Sequence, residues 1–220
     1  MVPANMATDP AATQRRICSA AVQLFAQHGF SRTSLRQITS TAGVNLAAVN
    51  YHFRAKEELY RYVLLDHLKA INSERITLLN QAEQLAGEQP VPVRAIVETL
   101  VRPLMRRVAA PTPQGTPVVR LVARELLESQ PFLQKELAQE FDSIMQRYTR
   151  ALGQSLPGLP ASEIHLRMQF TLGALLSAAA FPPDPKRLST DLNRADECDE
   201  FIRRLVDFCA AGLGAPAGAA

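Results

Sequence analysis

Residues 33–54 read TSLRQITSTAGVNLAAVNYHFR. Leu35, Ile38 and Ala42 recur at the spacing of one helical face, Gly43 interrupts the pattern, and Val49 and Phe53, four apart, resume it. Thr33 and Asn45 stand before the two runs, each with a side-chain oxygen able to accept a bond from an orphan N–H at a helix start. Gly43 tolerates the left-handed backbone with which helices commonly end. The stretch predicts two short helices joined through Ala42-Gly43-Val44, a helix-turn-helix.

The surrounding charge sharpens the reading. The 47 residues between Asp9 and Glu57 carry Arg15, Arg16, Arg32, Arg36, Arg54 and Lys56 and no acidic side chain. Residues 1–56 hold six basic and one acidic group, net +5, whereas residues 57–220 hold 18 basic and 20 acidic groups, net −2. A basic segment of this kind is suited to phosphate, and duplex DNA is the expected partner. A purely protein-binding helical scaffold would leave the charge asymmetry unexplained.

Outward from this motif the chain reads as all-α, without alternating Val/Ile/Thr runs or Asn-Gly and Asp-Gly turns. A first helix carries Ile17, Ala21, Leu24 and Phe25 on one stripe and stops at His28-Gly29. A long amphipathic helix is predicted over 56–86, burying Leu59, Val63, Leu64, Leu68, Ile71, Ile76 and Leu79, with Gly87 and Pro90-Val-Pro92 as its breakers. Further helices are expected at 93–109, 118–129, 132–152, 162–180 and 197–212, with joints at Pro111–Pro117, Ser155–Pro160 and Pro182–Pro185. The expected organisation is a flexible N-terminus (1–12), a helix-turn-helix domain (13–58), a helical effector-binding and dimerisation domain (59–212) and a flexible tail (213–220).

Several classes are disfavoured. Cys18, Cys198 and Cys209 form no CxxC pair and read as small apolar fillers rather than disulfide or zinc ligands. No HExxH, GxSxG elbow or Gly-rich phosphate loop is present, so neither catalysis, nor a metal, nor a cofactor is expected. The N-terminus lacks a signal-peptide core, and the longest weakly polar run, Phe170 to Phe181, is shorter than the ~20 residues that span a bilayer. A soluble, cytoplasmic protein without membrane contact is expected.

The run AAVQLFAQHGFSRTSLRQITSTAGVNLAAVNYHF from Ala20, followed by RAKEEL, resembles the DNA-binding domain of TetR/AcrR transcriptional regulators over residues 13 to about 62. The matching elements occur in order: Leu24-Phe25 with Gly29-Phe30, Thr33-Ser34, Ala42-Gly43-Val44, and Tyr51-His52-Phe53 before a Lys-Glu helix start. GVNLAAVNYHF is similar to a subgroup that includes regulators of fatty-acid and lipid metabolism. Ala55 departs from the pattern where the family often places a polar cap, so the fourth helix is expected to start less well capped. The resemblance implies a homodimer on a palindromic DNA operator, a small apolar effector such as a fatty acid or acyl derivative, and action as a repressor. The alternatives are a ligand-independent DNA-binding dimer and a regulator responding to drug-like lipophiles.

Base-reading positions are expected at Arg36, Asn45, Leu46, Ala47 and Asn50. Asn50 can bridge adenine N6 and N7, Arg36 can fork onto guanine, and Leu46 and Ala47 offer only apolar contact to thymine methyls. Tyr51, His52 and Lys56 match the family's phosphate clamp, Thr33 with the backbone amides of the second helix adds a helix-terminus anion site, and Ser34 and Ala48 are expected phosphate contacts as well; these position the helix without reading sequence. Leu166, Phe170, Gly173, Ala174, Ser177, Phe201, Leu205 and Phe208 form two stripes, the first with small residues at its centre, suited to pairing with a second copy. An effector pocket is expected between the C-terminal helices, with Leu100, Leu104, Met105, Leu121, Phe141, Met145 and Met168 as lining and Arg120, Arg124 and Arg167 as cations within reach of a ligand carboxylate.

Overall fold

The computed structural model describes residues 9–109, 115–180 and 194–216. The expected joints at Pro111–Pro117 and Pro182–Pro185 lie wholly or mostly outside them, as do residues 1–8 and 217–220. The described chain forms α1 (Pro10–Arg32), α2 (Leu35–Ala42), α3 (Leu46–Phe53), α4 (Lys56–Ala86), α5 (Val93–Ala109), α6 (Gly115–Glu128), a 3-10 turn (Pro131–Leu133), α7 (Gln134–Ser155), α8 (Ala161–Ala180) and α9 (Arg194–Gly214), with no strand among the described residues. No helix there is long and apolar enough to cross a membrane.

Local chemistry explains the boundaries. Asp9 caps α1 by accepting from the Ala11 amide at 3.0 Å, with Pro10 at the first helical position where its missing N–H costs nothing. Gly29 breaks α1 internally with φ 78° and ψ 171°, so the helix proper ends at His28 and Phe30–Arg32 form a separate last turn. That backbone region is open essentially to glycine alone. Gly29→Ala is therefore expected to cost about 1–3 kcal/mol in urea denaturation. An added Cβ would also lie 2.9 Å from Arg124 Nη1, but that flexible guanidinium can swing away, so the backbone conformation decides the outcome. A variant as stable as the parent would show that residue 29 relaxes at no cost.

Ser34, not the expected Thr33, caps α2. Its hydroxyl accepts from the Gln37 amide while the Gln37 side chain accepts from the Ser34 amide at 2.8 Å, a reciprocal capping box. Asn45 caps α3 as its sequence position suggests, accepting from the Ala48 amide at 2.8 Å. Gly43 ends α2 with φ 62° and ψ 43°. Ala55 caps α4 with no side-chain bond, although Glu57 and Glu58 in the first turn complement the positive end of the helix.

Two apolar cores hang on α4, which at 31 residues is about 46 Å long. Leu59 to Leu68 pack with Ile17, Phe25, Ile38, Val49 and Phe53 into the first core; Ile71 and Leu79 pack with Ile96, Leu100, Tyr148, Leu152 and Met168 into the second. The first core does not stop at residue 58. It takes in Val118, Leu121 and Val122 of α6 with Leu133 and Leu137 beyond, and α1 packs on α6 as well as on α2. Phe25, Phe30, Tyr60 and Phe132 form an aromatic cluster across this junction, with ring centroids 4.8–6.2 Å apart. Beside it the buried Tyr60 hydroxyl donates to Glu125 Oε2 at 2.7 Å, and the other Glu125 oxygen accepts from the Gln130 amide.

Candidate nucleic-acid interface

α3 turns Val49 and Phe53 inward and leaves Asn45, Leu46, Ala47, Asn50, Tyr51 and Arg54 exposed. On so short a helix these positions form one continuous outer face. Tyr51 is 80% exposed and Leu46 43%, although both are large and largely apolar. Bulky side chains held in water beside acid-free surroundings are the mark of a surface awaiting a partner. Arg36 on α2 and Arg54 are also exposed, and their guanidinium groups make no hydrogen bond or ion pair with the described residues, so both are available to an anion.

The turn between α2 and α3 is held from beneath. Arg16 Nη2 donates to the Gly43 carbonyl at 2.6 Å, giving an apparently solvated cation a positioning role that charge pattern alone could not reveal. Lys56 Nζ donates to the carbonyls of Phe30 at 3.1 Å and Thr33 at 3.0 Å, and lies 4.2 Å from the Phe30 ring centroid. It clamps the α1–α2 joint with two of its three N–H groups, and the third makes no bond to a described residue.

At three of the expected DNA contacts, polar groups are already engaged within the protein. Thr33 is buried, and its hydroxyl donates to the carbonyls of Gly29 at 2.8 Å and Leu24 at 3.2 Å, so that side chain faces the core rather than a phosphate. Asn45 Oδ1 is committed to capping, which leaves its amide NH₂ as the only group free to read a base. The Ala48 N–H, the group an alanine would offer to phosphate, is the recipient of that cap. Ser34 is exposed, and its hydroxyl also engages Gln37 Oε1 at 2.9 Å. His52 is half-buried, with its ring 5.1 Å from that of Tyr51.

At the far end, Leu166 (43%), Phe170 (65%) and Phe208 (70%) are exposed, together with Gly173 and Ser177; Ala174 and Phe201 are half-buried. Leu205 is buried in the protomer's own second core, so it does not belong to an outward stripe. Phe181, four positions beyond Ser177 at the same helical spacing, lies outside the described residues.

The expected effector lining is mostly closed packing. Leu100, Leu104, Met105, Met145 and Met168 are buried within the second core. Leu121 differs, since it is buried in the first core, where α6 packs on α1 and α4, and not in the second. Phe141 is half-buried and borders a small cavity together with Arg75 and Asn72, neither of which the periodicity singled out. Ile76, expected to be buried, is half-buried against the second core, while its neighbour Arg75 is buried. The signal was a polar residue at a helical spacing otherwise filled by Leu68, Ile71 and Leu79. Arg167 is also unavailable to a ligand: it pairs with Glu163 at 2.7 Å and donates to the carbonyls of Leu213, Ala215 and Pro216, closing the end of α9. Arg124 pairs with Glu128 at 3.1 Å, and Arg120 is exposed.

Among the described residues, no three His, Cys, Asp or Glu side chains gather as a metal site. The thiols of Cys18 and Cys209 are each pushed up to about 11 by burial, with Asp66 adding to the shift at Cys18, so the reactive thiolate is disfavoured at both.

Comparison with known proteins bears on the same two regions. Residues 17–63 match the family model of bacterial regulatory proteins of the tetR family, and residues 98–212 match that of the tetracyclin repressor-like C-terminal domain. Similar curated proteins include the HTH-type transcriptional regulator YttP of Bacillus subtilis, 42% identical over 52 residues (24% of this chain, 25% of YttP), and RutR of Escherichia coli O157:H7, 32% identical over 134 residues (61% of this chain, 57% of RutR). The chain thus spans less than two thirds of either relative. The HTH-type transcriptional repressor Rv1474c of Mycobacterium tuberculosis is 24% identical over 88% of this chain and 95% of its own. Among solved structures, a tetR-family regulatory protein from Rhodococcus RHA1 superposes with a TM-score of 0.69 at 16% identity, covering 93% of this chain and 98% of that one. The TetR-family regulator PfmR from Thermus thermophilus gives 0.64 at 17%, covering 92% and 100%.

Proposed function

The chain belongs to the TetR family of bacterial DNA-binding transcriptional regulators, and from that premise we propose that it is a homodimeric repressor, released from a palindromic operator by a small apolar effector. The observation that carries the DNA reading is the exposed outer face of α3, with Asn50 and Tyr51 outward, in a region free of acidic side chains. The name of Rv1474c as a repressor and its near end-to-end match support that direction of control. The likeness of GVNLAAVNYHF to regulators of lipid metabolism supports a fatty acid or acyl derivative as effector.

In this reading Asn50 and Arg36 read base edges, with Leu46 and Ala47 offering apolar contact to thymine methyls and Asn45 its amide NH₂. Tyr51, His52, the third donor of Lys56 and the start of α2 at Ser34 hold the backbone. α4 couples the two ends, because it starts at the Lys56 clamp and continues into the second core. A ligand that displaces its C-terminal half changes the separation of the two α3 helices, and successive grooves about 34–36 Å apart accept only one separation. Ligand and operator then weaken each other's binding by the same factor.

Asn50→Ala is expected to cost about 1–3 kcal/mol on the best duplex while leaving random duplex nearly unchanged. A gel-shift titration on both duplexes reads this directly. Equal losses on the two would mean that Asn50 does not read a base.

A further inference from the structure

The second core contains a charge with which no described residue forms an ion pair. Arg75 lies on α4, 6% exposed, among apolar side chains. Its Nε donates to the Leu100 carbonyl at 2.9 Å and its Nη1 to Asn72 Oδ1 at 3.1 Å, and it forms no ion pair with any described residue. Of the five N–H donors of a guanidinium, two are therefore used.

Nearby carboxylates are otherwise engaged. Glu74, the adjacent residue, is paired with Arg107 at 2.8 Å. Glu140 reaches only the Asn72 side chain, at 3.4 Å, and so touches Arg75 at one remove. Burial lowers the Arg75 guanidinium to about 10, with Arg107 adding to the shift and Glu74 and Tyr148 opposing it, so it remains charged at neutral pH. Burying a cation without a counter-ion is costly, and such residues concentrate where a ligand supplies the missing charge.

Arg75 also borders a space. It shares a cavity of about 10 Å³ with Asn72 and Glu140 on the polar side and Leu68, Ile144, Phe141 and Leu172 on the apolar side. The volume suits one water. Phe141 and Leu172 are half-buried, so a longer molecule entering from solvent would have to displace them.

We propose that Arg75 is the anion-recognition residue of the effector site, and that the effector is an apolar molecule bearing a free carboxylate. The inference rests on the ligand-responsive reading above and narrows it. The carboxylate would take the unused guanidinium donors and the chain would lie along Phe141 and Leu172. A bulky, multiply charged headgroup such as that of an acyl thioester does not fit beside a guanidinium buried this deeply. Because Arg75 is on α4, the ligand acts directly on the helix that begins at the DNA clamp.

The test uses decanoate and decanol as probes on the full chain, read by isothermal titration and thermal shift, with an Arg75→Met variant. Decanoate is expected to bind the parent at least tenfold more tightly than decanol, and Arg75→Met to lose that preference. The variant should fold as well as the parent, because replacing an uncompensated buried charge by an apolar side chain of similar volume is often neutral or stabilising. Equal affinity of the parent for the two probes would overturn the proposal without recourse to any variant, as would an undiminished decanoate preference in Arg75→Met. The same samples titrated with operator separate the two levels. Decanoate binding that depends on Arg75 but leaves operator affinity unchanged would uphold the anion site and refute the ligand-responsive reading.

Discussion

Phe170→Glu is expected to convert the protein to monomers at micromolar concentration and to reduce operator affinity by about a hundredfold or more. Phe170 is 65% exposed on α8, and Phe208 on α9 is 70% exposed. Fully burying a phenylalanine is worth about 1.5–3 kcal/mol, and a two-fold interface uses each residue twice, so in the proposed dimer Phe170 would contribute at most about 3–6 kcal/mol. Glutamate would remove that contribution and put a carboxylate from each copy into the proposed interface. A monomer carries one α3 and reads half a palindrome. Light scattering and gel shift on the same sample check both parts. A Phe170→Glu protein that remains dimeric would place the self-association surface elsewhere.

Phe25→Ala carries the second large effect, a loss of about 3–5 kcal/mol in folding stability. Phe25 is fully buried, and its ring meets the Tyr60 ring edge-on at a centroid distance of 4.8 Å, within a cluster that also contains Phe30 and Phe132. Phe132 lies in the 3-10 turn before α7 and Leu121 in α6, so the cavity left by Phe25 would be felt on both sides of the junction. The DNA-binding helices and α6 should therefore melt together, in one transition displaced to lower urea. Two separated transitions in the variant would show that the helix-turn-helix is stabilised without α6.

The elements were legible where a backbone-breaking residue marks them. α4 and α5 occupy the spans read from sequence, 56–86 and 93–109, because Gly87 and the prolines at 90 and 92 leave little freedom between them. Boundaries blurred where two neighbours share a chemistry. Thr33 and Ser34 can each cap a helix; the structure buries the first, whose methyl group suits the core, and gives the cap to the second. The attachment of α6 to the first core was not readable, because periodicity identifies a buried face and not its partner.

The candidate interface was legible in outline for a similar reason. Absence of acidic groups and the placement of Asn50 and Tyr51 on the outer face follow from spacing along a helix. Whether a polar atom is free does not: Asn45 Oδ1 and two Lys56 donors are committed inside the protein. Arg75 escaped notice because a charged residue at a helical spacing reads as a surface position until its neighbours are known.

The most direct measurement is selection of bound duplexes from a random pool with the native protein. An inverted repeat is expected, its half-sites one helical turn apart and its sharpest positions lost in Asn50→Ala. Enrichment of a single asymmetric site, or of no sequence at all, would contradict the insertion of two α3 helices into neighbouring major grooves.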